Sequence, residues 1–316
     1  MTQTDHPLIR RIERKLNFIG LKRKLVDALS PSDLSSLLIE VFAARAENLS
    51  PASLLQDYKA NAYAQPGVQD AAIYRRLEAE MLEAASALGV TCLQLSPAAV
   101  FGSASAFGAV SQNKIISATR NLEILSDATN MLSLYAAASI EEGALSHDPH
   151  LQHLCTTQRH VRYQANLRPN QFTHFGLFTM VSAGKAKSSY GFEKEALLFH
   201  LRFYRDFCRM RHGKLPHLLL NRRKGYKDTD GLIEHIQSAI AESFPDLGLS
   251  VDERENQTAY YQGLRLVMLV DHQGTPLEMG DMGFTDWTQK LLGRKSERLL
   301  ISSFALDRQL MLSQGS

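Results

Sequence analysis

The segment "GLRLVMLVDHQGTPLEMG", Gly263 to Gly280, constrains the fold most. Two apolar runs flank His272 to Gly274, a connection too short for a crossover helix, so the two strands must pair antiparallel. A second segment, "VRYQANLRPNQFTHFG" from Val161 to Gly176, also reads as strand, loop and returning strand. It gathers Arg162, Gln164 and Arg168, then Phe172, His174 and Phe175, side chains suited to gripping phosphates and a flat base. Helical patterns lie outside these hairpins instead of alternating regularly with single strands. The expected fold class is therefore α+β, a mostly antiparallel sheet flanked by helices.

The flanking helices are legible from spacing and caps. "AAIYRRLEAEMLEAASALGV" places Ile73, Leu77, Met81 and Leu88 near one face and ends at Gly89, a natural stop. "TCLQLSP" follows as a short strand closed by Pro97. "LEILSDATNMLSLYAAASI" reads as strand, turn and helix, with Asp127 or Thr129 able to cap the helix. "YGFEKEALLFHLRFYRDFCRM" and "KDTDGLIEHIQSAIAESF" are longer amphipathic helices, and "RLLISSFALDRQLML" is a strand entering a terminal helix. "FGSASAFGAVSQNK" is a Gly/Ser loop without a P-loop signature.

The first seventy residues read differently. Leu8 to Lys24 hold seven Lys/Arg against one Glu, with Leu8, Ile12, Leu16 and Ile19 at helical spacing. We expect a solvated helix packed on the body, with a nucleic-acid or partner-binding arm as the alternative. A capped helix follows from Ser30, and Pro66-Gly67 marks the boundary. The expected organisation is a helical N-terminal extension over 1–70 and a main domain over 71–316.

Composition removes several classes of function. A formal charge of +2 offers no basic stripe for duplex binding. Cys92, Cys155 and Cys208 are scattered and odd in number, which fits reduced thiols better than a disulfide framework. His153, Cys155 and His160 have no standard metal-ligand spacing, and no metal site is expected. No G-x-S-x-G is present. No apolar run approaches the roughly 20 residues that span a bilayer, and the N-terminus lacks the apolar core of a signal peptide. A soluble, cytoplasmic protein is expected.

In order, the segments resemble motifs 1, 2 and 3 of class II aminoacyl-tRNA synthetases, especially histidyl-tRNA synthetase and its paralogue, the regulatory subunit of ATP phosphoribosyltransferase. "LEAEMLEAASALGVTCLQLSP" looks like motif 1, a helix, a Gly turn and a strand ending in proline. "VRYQ", "ANLRPN" and "QFTHFG" resemble motif 2, an F-R-x-E strand, an arginine-bearing loop and a return of the E-F-x-Q-F-G type. "YYQG" resembles Y-Y-T-G, "MGFTDWTQKLLG" resembles G-G-R-Y-D followed by L-G, and "ALDR" resembles the closing G-L-E-R. "ILSDATN" looks like the opening of the amino-acid pocket.

The resemblance implies ATP with Mg2+ and an adenylated carboxylate. Arg162 and Arg308 would be catalytic, Arg162 at the α-phosphate where charge develops. Gln164, Arg168 and Phe172 would complete the nucleotide site, with Phe172 and Arg308 on the two faces of adenine. Asp127 and Thr129 would hold an α-amino group, although a plain helix cap uses the same residues. His174, Tyr260, Tyr261 and Gly283 would line the amino-acid pocket. Tyr260 and Tyr261, if on a strand, face opposite ways, so only one is expected to point inward.

The chain departs from the motifs at Gln164 for glutamate, Asn256 for arginine, Ala259 for aspartate and Phe284 for arginine, with Ile301 and Ala305 at glycine positions. Eight residues follow Arg308, too few for an anticodon-binding domain, so tRNA is not an expected partner. The expectation is a tRNA-independent ligase that adenylates an amino acid or similar carboxylate and passes it to a small amine or carrier. The alternative is a non-catalytic, amino-acid-binding regulatory subunit. Motif 1 is a dimer element in the resembled family, so a homodimer through residues 73–97 is expected, with no membrane association.

Overall fold

The structure is a computed structural model that describes residues 6–146, 148–164, 172–256 and 260–314. The chain begins with α1 (Pro7–Lys15), α2 (Leu21–Asp27), α3 (Pro31–Ala46) and α4 (Pro51–Ala60). Then come α5 (Ala71–Ala87), β1 (Thr91–Cys92), β2 (Ala98–Val100), α6 (Ser103–Ala106), β3 (Leu122–Ile124) and α7 (Ala128–Glu141). A long hairpin of β4 (Gln152–Val161) and β5 (His174–Lys185) leads to α8 (Gly191–His212), β6 (His217–Arg223), α9 (Thr229–Ser243) and β7 (Leu249–Asn256). β8 (Gln262–His272), β9 (Thr275–Thr285), α10 (Trp287–Leu292), β10 (Glu297–Ala305) and α11 (Leu306–Gln314) complete it.

The helix starts follow from local chemistry. Ser30 and Ser50 accept from the third amide of α3 and α4, each followed by proline at the first helical position. Asp70 caps α5 through Ile73 N at 2.9 Å, and Asp228 caps α9 through Gly231 N at 3.0 Å.

The main sheet has eight strands in the order β1-β4-β5-β10-β9-β8-β6-β7. Its six inner strands pair antiparallel; only the edge pairs β1–β4 and β6–β7 are parallel. The mostly antiparallel α+β expectation therefore holds. "TCLQLSP" contributes less strand than expected, since only Thr91 and Cys92 join the sheet.

Alternation gives the sheet two unlike faces. On one, Phe178 and Met180 of β5, Leu264, Leu266 and Met268 of β8 and Leu300 and Phe304 of β10 pack under α5, α8, α9 and α11. A buried polar chain crosses this face. Ser182 Oγ lies 2.6 Å from His153 Nδ1 and 2.7 Å from His200 Nε2. Ser302 Oγ lies 2.8 Å from His200 Nδ1 and 2.7 Å from the Tyr204 hydroxyl. Burial pushes His200 well below its ordinary pKa, so it stays neutral and uses one nitrogen as donor and the other as acceptor. On the opposite face α7 and α10 cover only part of the sheet, through Leu132, Ala136 and Trp287 against Val181, Leu299 and Ile301. The uncovered part is a cavity.

The N-terminal helices differ from the expected single packed helix. Asn17 (φ 51°) and Gly20 (φ 77°) break Leu8–Lys24 into α1 and α2. Leu8, Ile12, Leu16 and Ile19 are exposed instead of packed on the body. α3 and α4 bury no residue, and α1 buries only Glu13, which accepts from Lys22 N at 3.3 Å. Among the described residues no helix is long and apolar enough to cross a membrane.

Candidate functional site

The cavity measures about 600 Å³ and lies over the open part of the sheet. Arg162, Gln164 and Phe172 line it from the β4–β5 hairpin, Asp127 from the start of α7, Tyr260 and Tyr261 from just before β8, and Arg308 from α11. Sequence-distant residues are thus brought together by four features: the hairpin's end, a helix start, the approach to β8 and the strand-to-helix junction of β10 and α11.

Arg162 stands one residue beyond the end of β4, where it was expected on the strand itself. The chain is pinned there because Val161 N donates to Leu125 O at 3.1 Å. Arg162 Nε donates to Ser126 O at 2.8 Å, and Nη2 reaches Asp127 Oδ2 at 3.3 Å. The guanidinium also lies over the Phe175 ring, 5.5 Å from its centroid. Two directional bonds and a ring fix the fork, and Nη1 has no partner among the described residues.

Asp127 is almost fully buried. Its Oδ1 accepts from Thr129 N at 3.0 Å and Thr129 Oγ1 at 2.6 Å; Oδ2 accepts from Tyr260 OH at 2.6 Å. Burial alone would raise the Asp127 carboxyl, but the Arg162 charge and the hydrogen bonds from Thr129 and Tyr260 hold it below the usual carboxylate range. Asp127 is therefore both a helix cap and the counter-ion of Arg162. With Arg162 included, its two oxygens already serve four donors, near the capacity of a carboxylate. Below it, His160 Nε2 accepts from Ala128 N at 2.9 Å. Burial pushes His160 down to about 4 against the Asp127 charge, so the ring is neutral and can act as that acceptor.

Tyr260 and Tyr261 precede β8 instead of lying on it, so strand alternation does not separate them. Both line the cavity, their rings edge to face at 4.8 Å. Tyr260 also meets Trp287 at 5.4 Å. Three other expected residues lie outside the lining. Thr129 is buried behind Asp127. His174 turns away, with Nε2 2.7 Å from Gln65 O and Nδ1 2.5 Å from Arg159 Nη2. Gly283 lies beneath Tyr261, and a Cβ there would come 2.5 Å from that ring. Arg168 and Ala259 fall outside the described residues. Phe284, at an arginine position of the resembled motif, packs into the α8-side core, and Ile301 packs under α7. Ala305 lines the cavity.

The structure adds residues that the sequence did not flag. Arg265 on β8 donates from Nε to Asp281 Oδ2 at 2.6 Å and from Nη2 to Glu278 Oε1 at 2.8 Å, and all three line the cavity. Burial opposes its charge, but Asp281 and Glu278 outweigh that and hold Arg265 above the usual arginine range. A lone arginine within the apolar strand "GLRLVMLV" was the available signal. Arg308 Nη1 donates to Glu278 O. Beside it, Asp307 Oδ2 accepts from Gly176 N at 2.7 Å and from Tyr74 OH at 3.3 Å. Lys114 and Ser111 also face the cavity from the segment read as a plain Gly/Ser loop.

Solved structures share this architecture. Apo histidyl-tRNA synthetase of S. aureus superposes with a TM-score of 0.59 at 12% identity, covering 79% of this chain and 68% of that one. A protein from Bacillus halodurans C described as an ATP phosphoribosyltransferase regulatory subunit/histidyl-tRNA synthetase gives 0.56 at 9% identity, with 78% and 81% covered. The fold is that of a class II aminoacyl-tRNA synthetase catalytic domain. A putative threonyl-tRNA synthetase from Aeropyrum pernix gives 0.57 at 14% identity, covering 79% of this chain and 60% of its own length. No protein-family model matches the chain, and no curated protein sequence does. At these identities the class II likeness concerns backbone architecture, and the chemistry must be argued from side chains.

Proposed function

We propose that the chain is an ATP-dependent, tRNA-independent ligase that adenylates an amino acid or similar carboxylate and transfers it to a small amine or carrier. The observation that carries this reading is Arg162, whose fork is fixed by Ser126 O and Asp127 while Nη1 keeps no protein partner among the described residues. A donor held in place before charge develops is the arrangement that stabilises a pentavalent phosphorus. In the reaction, a substrate carboxylate oxygen bonds to the α-phosphorus and the bond to pyrophosphate breaks. An amine then attacks the acyl adenylate, AMP leaves, and the nitrogen proton passes to solvent.

The cavity residues suit these partners. Phe172 and Arg308 would hold adenine between a ring and a guanidinium. Arg168 would reach the outer phosphates. Among the described residues no cluster of His, Cys, Asp or Glu could cage a metal, so Mg2+ would arrive on the ATP phosphates, where it commonly resides. A substrate ammonium would share Asp127 Oδ2 with Arg162, the longest of that carboxylate's contacts at 3.3 Å, with Tyr260 and Tyr261 alongside. ATP–pyrophosphate exchange across an amino-acid panel tests this. Arg162→Ala should lower exchange by about 10²- to 10³-fold, as loss of one oxyanion donor does. Absence of exchange and of ATP binding in the unaltered protein would sink the proposal.

One observation favours a non-catalytic, amino-acid-binding regulatory subunit instead. Phe284, where the resembled motif carries arginine, is packed into the core, leaving no cation at that position. Amino-acid binding by calorimetry, without exchange and with co-purification of a partner enzyme, would establish this second reading. In either case a homodimer through residues 73–97 is proposed. Ile73 and Leu88 within that segment, and Val100 and Phe101 just after it, are exposed apolar side chains that a partner could cover. A monomer of 35.3 kDa by light scattering at micromolar concentration would refute it.

A further inference from the structure

The end of the N-terminal extension reaches across the chain to the cavity hairpin. The Tyr63 hydroxyl accepts from Gln164 N at 2.7 Å and donates to Gln164 O at 3.0 Å, across 101 residues of sequence. The Tyr63 ring stacks on Tyr163 with centroids 5.4 Å apart and planes 27° apart. On the returning strand, Thr173 Oγ1 donates to Ala62 O at 3.0 Å, and His174 Nε2 lies 2.7 Å from Gln65 O. Gly67 then passes beneath Arg159, where a Cβ would come 3.3 Å from its guanidinium.

Ala62, Tyr63 and Gln65 of the extension thus hold both stems of the hairpin, Tyr163–Gln164 on one side and Thr173–His174 on the other. Gln164 and Phe172, the cavity-lining residues of those stems, are each held directly or through the next residue. These contacts do not seal a core, because α3 and α4 bury nothing and Tyr63 itself is only half-buried. They are directional, and a phenol that accepts from the N–H and donates to the C=O of one residue fixes that residue's backbone orientation as well as its position.

We infer that residues 62–65 are a strap that belongs to the cavity, with Tyr63 as a positioning residue that sets Gln164 and, through the adjoining Tyr163, the approach of Arg162. Its consequence for nucleotide binding rests on the adenylating reading; the strap itself does not. The N-terminal extension is then a component of the site.

The experiment compares the full-length protein with Tyr63→Phe, which keeps the stacked ring and loses the hydroxyl, and with Thr173→Val on the other stem. Amide hydrogen exchange reads Gln164, and ATP–pyrophosphate exchange reads KM for ATP against kcat. In Tyr63→Phe, Gln164 exchange should accelerate about tenfold and KM for ATP should rise by a similar factor, with kcat within about twofold and an unchanged unfolding midpoint; tenfold corresponds to one net hydrogen bond. Thr173→Val should raise KM in the same direction by a smaller factor. A variant that merely loosened a structural contact would lower the midpoint and leave the KM-to-kcat split untouched. Gln164 exchange unchanged in Tyr63→Phe overturns the strap. So does accelerated exchange with KM unchanged in both variants. If the unaltered protein neither binds nor turns over ATP, the adenylating reading fails, and Gln164 protection alone then decides for or against the strap.

Discussion

β5 and β10 serve two purposes one residue apart. On their α8 side Phe178, Met180, Ser182, Ser302 and Phe304 are sealed from solvent, and even the two serine hydroxyls are spent on His153, His200 and Tyr204. On the other side Leu177, Ser303 and Ala305 face the cavity. The two-residue period of a strand therefore separates what holds the fold from what lines the cavity. Substitutions on one face should change stability and spare binding, and the reverse should hold on the other.

The largest expected effect lies on the sealed face. Phe178 stacks on Phe203 at 4.9 Å and meets Tyr204 edge-on, so Phe178→Ala leaves a void that rigid neighbours cannot fill. Urea unfolding should show a loss of about 3–5 kcal/mol, the usual cost of an emptied aromatic site. A loss below about 1 kcal/mol would show that this face is not close-packed.

The cavity face has its own stability signature in pH. His160 is held down to about 4 in the folded protein and titrates near 6.5 when unfolded. Its folded pKa is the lower one, so its contribution is complete above pH 6.5 and is lost as pH falls towards 4. Such a shift is worth about 3 kcal/mol at pH 4. His153, pushed down to about 4 by burial, steepens the same slope from the sealed face. Stability curves of His160→Gln, which can still accept from Ala128 N but does not titrate, should be flatter across this window. An unaltered slope would place the titration elsewhere.

Ser302→Ala should cost about 2 kcal/mol, because His200 Nδ1 and the Tyr204 hydroxyl lose their shared partner in a dry interior. ATP affinity should stay within twofold, measured on the same sample. Arg308→Ala completes the contrast with the smallest stability effect, about 1 kcal/mol for the lost hydrogen bond to Glu278 O from a half-buried position. ATP binding by the same variant, followed through the single Trp287 that touches Tyr260, should be lost. Equal effects of these two variants on stability and binding would erase the distinction between the faces.

The hairpins, the helix that opens at Asp127 and the β10–α11 junction were legible because each rests on local periodicity and capping. The class II fold was legible by another route, the resemblance of the motifs and their order to that family, which periodicity and capping alone do not supply. Tyr63 was not legible: a lone tyrosine in "KANAYAQPG" gives no hint of a partner 101 residues away. Arg265 was hidden by its apolar neighbours, since its partners Glu278 and Asp281 belong to another strand and a bulge shifts their register. Alternation misjudged Tyr260 and Tyr261 because their backbone lies before the strand. The basic N-terminal stretch showed helical spacing, but spacing alone does not say that an apolar stripe finds a surface to cover.

Tyr74, Gly176 and Asp307 come from α5, β5 and α11, and the Tyr74 phenol occupies the space that any side chain at 176 would need, 1.6 Å from where a Cβ would stand. Seen as inheritance, these positions are one character written in three places. A descendant of this chain that gains a side chain at 176 must first give up the tyrosine at 74, and the carboxylate at 307 then loses a donor beside Arg308. Such a lineage would pass through a poorly folded intermediate unless the changes arrived together, so the three residues should persist or disappear as a set.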